Sequence, residues 1–154
     1  MKKLLFVVLL ALIGSTVYAQ DYKTGIGVRG TFVSGLTVKH FIKEDAALEG
    51  IVSFGRWGMN LTGLYEWHAR AFDVEGLNWY YGAGGHIGNW NDDYPWVDDQ
   101  GEFMVIGIDG IVGIEYKIQD IPISFSADYK PSLNFSGFPG FWGYGGALSV
   151  RYTF

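Results

Sequence analysis

Glu66, His68 and Arg70 stand two residues apart, a spacing that places a carboxylate, an imidazole and a guanidinium on one face of a β-strand. Such a row suits a proton relay or a hydrogen-bonded network closed on itself, and the network is the expectation here. A hydrolase of the serine type needs an imidazole placed on a serine and held by a carboxylate. His40, His68 and His86 are followed two residues later by Ile42, Arg70 and Gly88, so none has a serine beside it on its own strand face; cross-strand partners such as Ser53 or Ser126 stay open. The chain has no cysteine, which removes thiolate nucleophiles, thiolate metal sites and disulfides. The stretch 90–102 carries Asp92, Asp93, Asp98, Asp99 and Glu102 without Lys or Arg. Hard cations prefer several oxygen ligands, but the spacing matches no defined calcium loop, so a solvated acidic loop is expected. With Tyr94 and Trp96 among them, Asp92, Asp93, Asp98 and Asp99 are the place to look for recognition of a surface partner. No metal and no cofactor is expected, nor is an enzyme.

The start of the chain has the layout of an export signal. Lys2 and Lys3 precede an apolar stretch over 4–13, then Gly14, Ser15 and Thr16, then Val17-Tyr18-Ala19. The apolar part is roughly ten residues, against about 20 for a spanning helix, so cleavage after Ala19 is expected rather than a permanent anchor. That gives a signal peptide over 1–19 and one domain over 20–154. With 16 Asp and Glu against 11 Lys and Arg, the net charge is −5, and loss of Lys2 and Lys3 makes the remainder more acidic. A nucleic-acid partner is therefore not expected. The 23 Gly, 6 Trp, 10 Tyr and 11 Phe come without a second long apolar run, which excludes a helical membrane protein.

A two-residue period runs through the rest. From Met104 to Ile118 the even positions are Met104, Ile106, Ile108, Gly110, Val112, Ile114, Tyr116 and Ile118, and the odd ones include Gly107, Asp109, Gly113, Glu115 and Lys117. Ile121, Ile123, Phe125, Ala127 and Tyr129 then oppose Ser124, Ser126, Asp128 and Lys130, with Gln119-Asp120 as a tight turn between the two strands. A last strand from Tyr144 alternates to Tyr152 and Phe154. Earlier, Asn60, Thr62, Glu66, His68 and Arg70 oppose Met59, Leu61, Tyr65, Trp67 and Ala69, with Leu64 breaking the polar face once. Asn78, Tyr80, Gly82, Gly84 and His86 oppose Trp79, Tyr81, Ala83 and Ile87, and shorter strands occupy 24–31, 35–43 and 47–54. This predicts an all-β chain of about eight antiparallel strands in an up-and-down barrel. Compact polar turns (43–46, 73–76, 119–120) alternate with long connections (90–102, 131–142), the asymmetry of a transmembrane barrel, although the first two outward connections are short. Trp67, Phe72, Trp79, Tyr81, Tyr116 and Tyr152 fall near one set of strand ends. Trp57, Trp90, Tyr129, Phe141, Trp142 and Tyr144 fall near the other, as interfacial girdles do.

The ending Arg151-Tyr152-Thr153-Phe154 resembles the assembly signal of outer-membrane barrels, Tyr152 and Phe154 being its hydrophobic positions. The whole domain is similar to the small eight-stranded barrels of the OmpA transmembrane-domain and OmpX type. The resemblance implies the outer membrane of a Gram-negative bacterium, outer-membrane lipid around the barrel, and insertion by the barrel-assembly machinery after periplasmic chaperoning. It is architectural rather than catalytic, and the peptidoglycan-anchoring role of a full-length OmpA does not carry over. The extracellular partner is not legible.

By register, Arg29, Lys39, Arg70, Lys117, Lys130 and Arg151 point inward with Glu49, Glu66, Asp109, Glu115 and Asp128, and His68 joins them. In a barrel this narrow, side chains fill the interior. Near-balanced charges out of bulk water must pair, so a salt-bridged polar lumen with a structural or surface-interaction role is expected. The inward Gly82, Gly84, Gly107, Gly113 and Gly145 leave room for long side chains. They equally allow a narrow channel or a ligand cavity, and a lipid A-modifying enzyme is the third reading.

Overall fold

The computed structural model describes residues 21–30, 34–55, 58–90, 103–137, 140–142 and 145–154. Eight strands form the ring: β1 (Thr24–Gly30), β2 (Ser34–Lys43), β3 (Ala46–Gly55), β4 (Gly58–Arg70), β5 (Leu77–Trp90), β6 (Phe103–Lys117), β7 (Ile123–Tyr129) and β10 (Gly146–Thr153). Their order is β5-β4-β3-β2-β1-β10-β7-β6, and pairing of β5 with β6 closes it. All neighbours are antiparallel, so the chain is all-β and the barrel has no free edge around its girth. The first and last strands meet in register, Ile26 opposite Tyr152 and Val28 opposite Val150. Phe154 N and Thr24 N each donate to the other's carbonyl at 2.8 Å beyond the last ladder pair.

The alternation in the sequence becomes two surfaces of opposite character. On β6, Met104, Ile106, Ile108, Val112 and Tyr116 are exposed, while Val105, Asp109, Ile111, Glu115 and Lys117 are buried. The same inversion runs round the ring. Ile26, Val28, Leu36, Val38, Leu48, Leu61 and Leu148 lie outside, and Arg29, Thr37, Lys39, Glu49, Thr62 and Arg151 inside. Tyr65, Trp67, Trp79 and Tyr81 form a contiguous aromatic patch on the outer wall of β4 and β5, with ring centroids 4.8–5.7 Å apart.

Two connections differ from the sequence expectation, both because of proline. The turn after β6 spans 118–122 rather than two residues, because Pro122 has no N–H to give the ladder and β7 starts only at Ile123. Ile118 N donates to Ile123 O at 3.0 Å across the turn, and Ile123 N donates to Ile121 O at 2.8 Å within it. The stretch 131–142 reads as a loop in the sequence, yet it contains a hairpin, β8 (Ser132–Asn134) paired with β9 (Gly140–Trp142). Pro131 interrupts β7, but Gly110 N still donates to Pro131 O at 3.0 Å, and β8 resumes pairing with β6 at Asp109, Ile108 and Gly107. The wall is thus carried on past the break. Exposed Leu133, Phe135 and Phe141 keep this extension apolar outside.

Gly113 makes room for Tyr80 in the lumen. It lies opposite Tyr80, and a Cβ there would stand 2.7 Å from Tyr80 Cζ and 2.6 Å from Asp128 Cβ. Gly113→Val should therefore destabilise the folded barrel by about 1–3 kcal/mol, read as a lower urea midpoint. Tyr80→Ala on the same chain should recover part of the loss; a fully additive double variant would show that the two positions do not share space.

Candidate functional site in the barrel lumen

Because inward residues come every second position, each strand contributes one side chain to each level of the lumen. Climbing from the 44–45 turn, β3 offers Ala47, Glu49 and Ile51; β4 offers His68, Glu66 and Leu64; β6 offers Lys117, Glu115 and Ile111, then Asp109. The lumen is therefore layered.

The central layer is ionic. Arg151 Nη2 meets Glu49 Oε1 at 2.5 Å and Arg151 Nη1 meets Glu115 Oε2 at 3.0 Å, while Nη1 also donates to Ser126 Oγ at 2.8 Å. Lys39 Nζ lies 2.8 Å from Glu66 Oε2, 3.5 Å from Glu49 Oε2 and 3.7 Å from Glu115 Oε2. Thr37 Oγ1 donates to Glu49, Tyr22 OH donates to Glu115 Oε1 at 2.8 Å, and His68 Nε2 is 3.0 Å from Glu66 Oε2. Arg151, Lys39 and Glu66 are fully buried. Charges this far from water persist only when paired and hydrogen-bonded, so each member depends on the others.

Above it sits an apolar layer of Ile51, Leu64, Tyr80 and Ile111. Tyr80 joins the two: its ring stacks on His68 at 5.0 Å, Lys39 Nζ lies 3.9 Å from its centroid, and its hydroxyl donates to Asp128 Oδ2 at 3.0 Å. Asp128 accepts a two-pronged contact from Arg29. At the end of the lumen beside β8, Asp109 collects three donors: Lys130 Nζ at 2.6 Å, His86 Nδ1 at 2.8 Å and Ser132 Oγ at 2.7 Å. Ser132 thus spends its proton on the carboxylate that orients His86, an arrangement unlike a serine activated by an imidazole.

Of the charges placed inward by register, Arg29 and Asp128, Lys130 and Asp109, and Lys39, Glu49, Glu66, Glu115, His68 and Arg151 fall into these groups. Lys117 is buried on the same face, but its ammonium donates to Ile118 O at 2.6 Å and Ile121 O at 2.9 Å, tying down the 118–122 turn instead of a carboxylate. Arg70 is half-buried at the rim and has an interaction of its own. Outside the lumen, His40 Nδ1 lies 2.8 Å from Thr24 Oγ1, and Tyr152 and Phe154 are exposed with ring centroids 6.1 Å apart. The acidic candidates Asp92, Asp93, Tyr94, Trp96, Asp98 and Asp99 lie outside the described residues, as do the export signal over 1–19, Trp57 and Tyr144. Sequence reasoning places Tyr80 with Gly82 and His86, and Thr37 with Lys39, on the polar faces of their strands without giving either a role, and it does not place Tyr22, Phe41, Ile51, Val105 or Ile111 in the lumen. A Tyr on the polar face of β5 opposite a glycine was the available signal for Tyr80. Among the described residues no group of three or more His, Asp or Glu is placed to hold a metal ion.

No protein-family model matches the chain and no curated protein matches it. Among solved structures, the N-terminal β-barrel domain of Pseudomonas aeruginosa OprF has the same fold, with a TM-score of 0.65 at 18% identity over 85% of this chain and 95% of that one. The architecture is accordingly an outer-membrane-type eight-stranded β-barrel.

Removing one partner from a buried ion network leaves its counter-charges uncompensated, at a cost of about 3–5 kcal/mol. Arg151→Met should lose stability of that order in equilibrium urea unfolding, because Glu49 and Glu115 both lose a cation. Lys117→Met should cost clearly less, since neutral carbonyls are left behind. Equal losses would place the weight of the lumen elsewhere.

Proposed function

We propose that this chain is an integral outer-membrane β-barrel of a Gram-negative bacterium, non-catalytic, with a lumen closed by its own ion pairs and a structural or surface-interaction role. One observation carries the reading: the barrel is polar inside and apolar outside. A buried Val, Leu, Ile or Phe is worth about 1.5–3 kcal/mol. Two internal apolar clusters, Ile51-Leu64-Tyr80-Ile111 and Tyr22-Phe41-Ala47, are small against an ordering cost of about 1–2 kcal/mol per residue. The long outer face of Ile, Val, Leu and aromatic side chains needs an apolar medium, and a closed barrel is one of the two structures that satisfy every backbone group in lipid. Strands of 10–15 residues in β2 to β6 are long enough to cross.

Under this reading the segment 1–19 is a signal peptide removed after Ala19, and periplasmic chaperones and the barrel-assembly machinery deliver the chain, with Tyr152 and Phe154 in the assembly signal. Outer-membrane lipid surrounds it. The acidic stretch holding Asp92, Asp93, Tyr94, Trp96, Asp98 and Asp99 is the surface for an extracellular partner. The likeness to the OprF domain supports the architecture.

Two measurements test the membrane assignment. The expressed chain should sediment with outer-membrane density and resist extraction by carbonate. Val38→Arg, on the outer face at the middle of β2 and so near the bilayer midplane under this reading, should cost about 2–4 kcal/mol in lipid-folded protein. A soluble, extractable chain, or a neutral Val38→Arg, would overturn the proposal.

A further inference from the structure

Nearly everything that fills the lumen hangs from a strand and is fixed by the ladder. Tyr22 differs: it precedes β1, in the short arm Asp21–Lys23, which touches Phe41 of β2 at one end and Asn78 of β5 at the other. Its ring is buried against Phe41 at 5.1 Å, edge to face, and packs with Phe41 and Ala47. Its hydroxyl reaches across to Glu115 of β6. Gly25 leaves the path open, since a Cβ there would stand 3.1 Å from Tyr22 Cε2 and 3.3 Å from Arg151 Cδ. Asp21 Oδ2 accepts from Asn78 Nδ2 at 2.9 Å, and Lys23 O accepts from Phe41 N at 2.9 Å. The arm is thus pinned at Lys23 by a backbone bond and beyond it by two side-chain bonds and one ring.

Immediately below lies a depression of 330 Å³ lined by Asp21, Tyr22, Lys117, Pro122, Thr153 and Phe154 among others. Tyr22 lines this depression, while its hydroxyl touches Glu115, a member of the filled Arg151–Lys39 layer. Thr153 Oγ1, which borders the depression, is buried without a protein partner, and so is Asn78 Oδ1 beside Asp21. Buried polar atoms of this kind call for water.

We propose that the Asp21–Lys23 arm is a removable stopper at the strand-turn end of the lumen. With the arm seated, Tyr22 separates the depression from the ionic layer. With the arm swung out about Lys23, the depression deepens by the volume Tyr22 vacates, and Glu115, Phe41 and Ala47 line a pocket fitted to a flat ring carrying a hydrogen-bond donor. Release breaks no ladder bond of the ring, so it is a local opening of the kind that loop-borne elements undergo below the global unfolding threshold. The proposal rests on the reading of the lumen as closed.

The absence of cysteine makes the test direct. Ala47→Cys places a single thiol under the Tyr22 ring, and its reaction with a small charged methanethiosulfonate is followed in detergent-folded protein, with folding checked by gel mobility before and after boiling. The thiol should react slowly with Tyr22 in place, and about tenfold or more faster with Tyr22→Ala, as expected for loss of a hydrogen bond to a charged group together with the ring. Tyr22→Phe, which keeps the ring and loses the bond, should give a smaller rise, and it remains informative if Tyr22→Ala fails to fold. Slow reaction at equal rates in all three, or no reaction at all with Tyr22 in place while Tyr22→Ala reacts, overturns the removable stopper and leaves the closed lumen standing. Fast reaction at equal rates overturns both.

Discussion

Arg151 holds the barrel together across its middle. From β10 it reaches Glu49 on β3 and Glu115 on β6, strands that lie on opposite sides of it around the ring. A guanidinium suits this task because its planar fork serves two carboxylates at once and does not lose its charge. Lys39 adds a second cation facing the same carboxylates and Glu66. An ion cluster of this kind earns little stability compared with an apolar core. What it supplies is register: only one closure of the ring brings β3, β6 and β10 into these contacts, and a one-residue slip turns every charge outward.

The outer face follows from the inner one. A barrel that fills itself with Arg, Lys, Glu, Tyr and hydroxyls has to find its hydrophobic driving force elsewhere, and its outward Ile, Val and Leu find it only in an apolar surrounding. The layered filling also divides labour. Ions at the centre set register, the Ile51-Leu64-Tyr80-Ile111 layer excludes water above them, and Asp109 with His86, Lys130 and Ser132 fastens the β8–β9 extension to the wall.

Much of this was legible because a two-residue period fixes which face each side chain occupies. Glu66 and His68, or Asp109 and Glu115, could be placed inside from alternation alone. Alternation does not give the position around the ring, so it could not say that Arg151 would meet Glu49 rather than Asp128, or that Lys117 would turn down onto carbonyls. It also treats an apolar residue on the polar face as a break. Leu64 was such a break, and with Val105 and Ile111 it belongs to the buried apolar part of the lumen. Tyr22 lies in no periodic segment, and nothing in its neighbours' types marks it as a lumen residue. The β8–β9 hairpin was hidden by Pro131, Pro139 and the glycines around it, which read as loop.

The central claim is that these layers close the lumen, and single-channel recording of the folded protein in a planar lipid bilayer tests it most directly. A lumen closed in this way should be electrically silent in protein shown to be inserted and folded. Reproducible conductance steps from the unmodified chain would contradict it, since a path for ions would then pass the Arg151–Lys39 layer and the apolar layer above it.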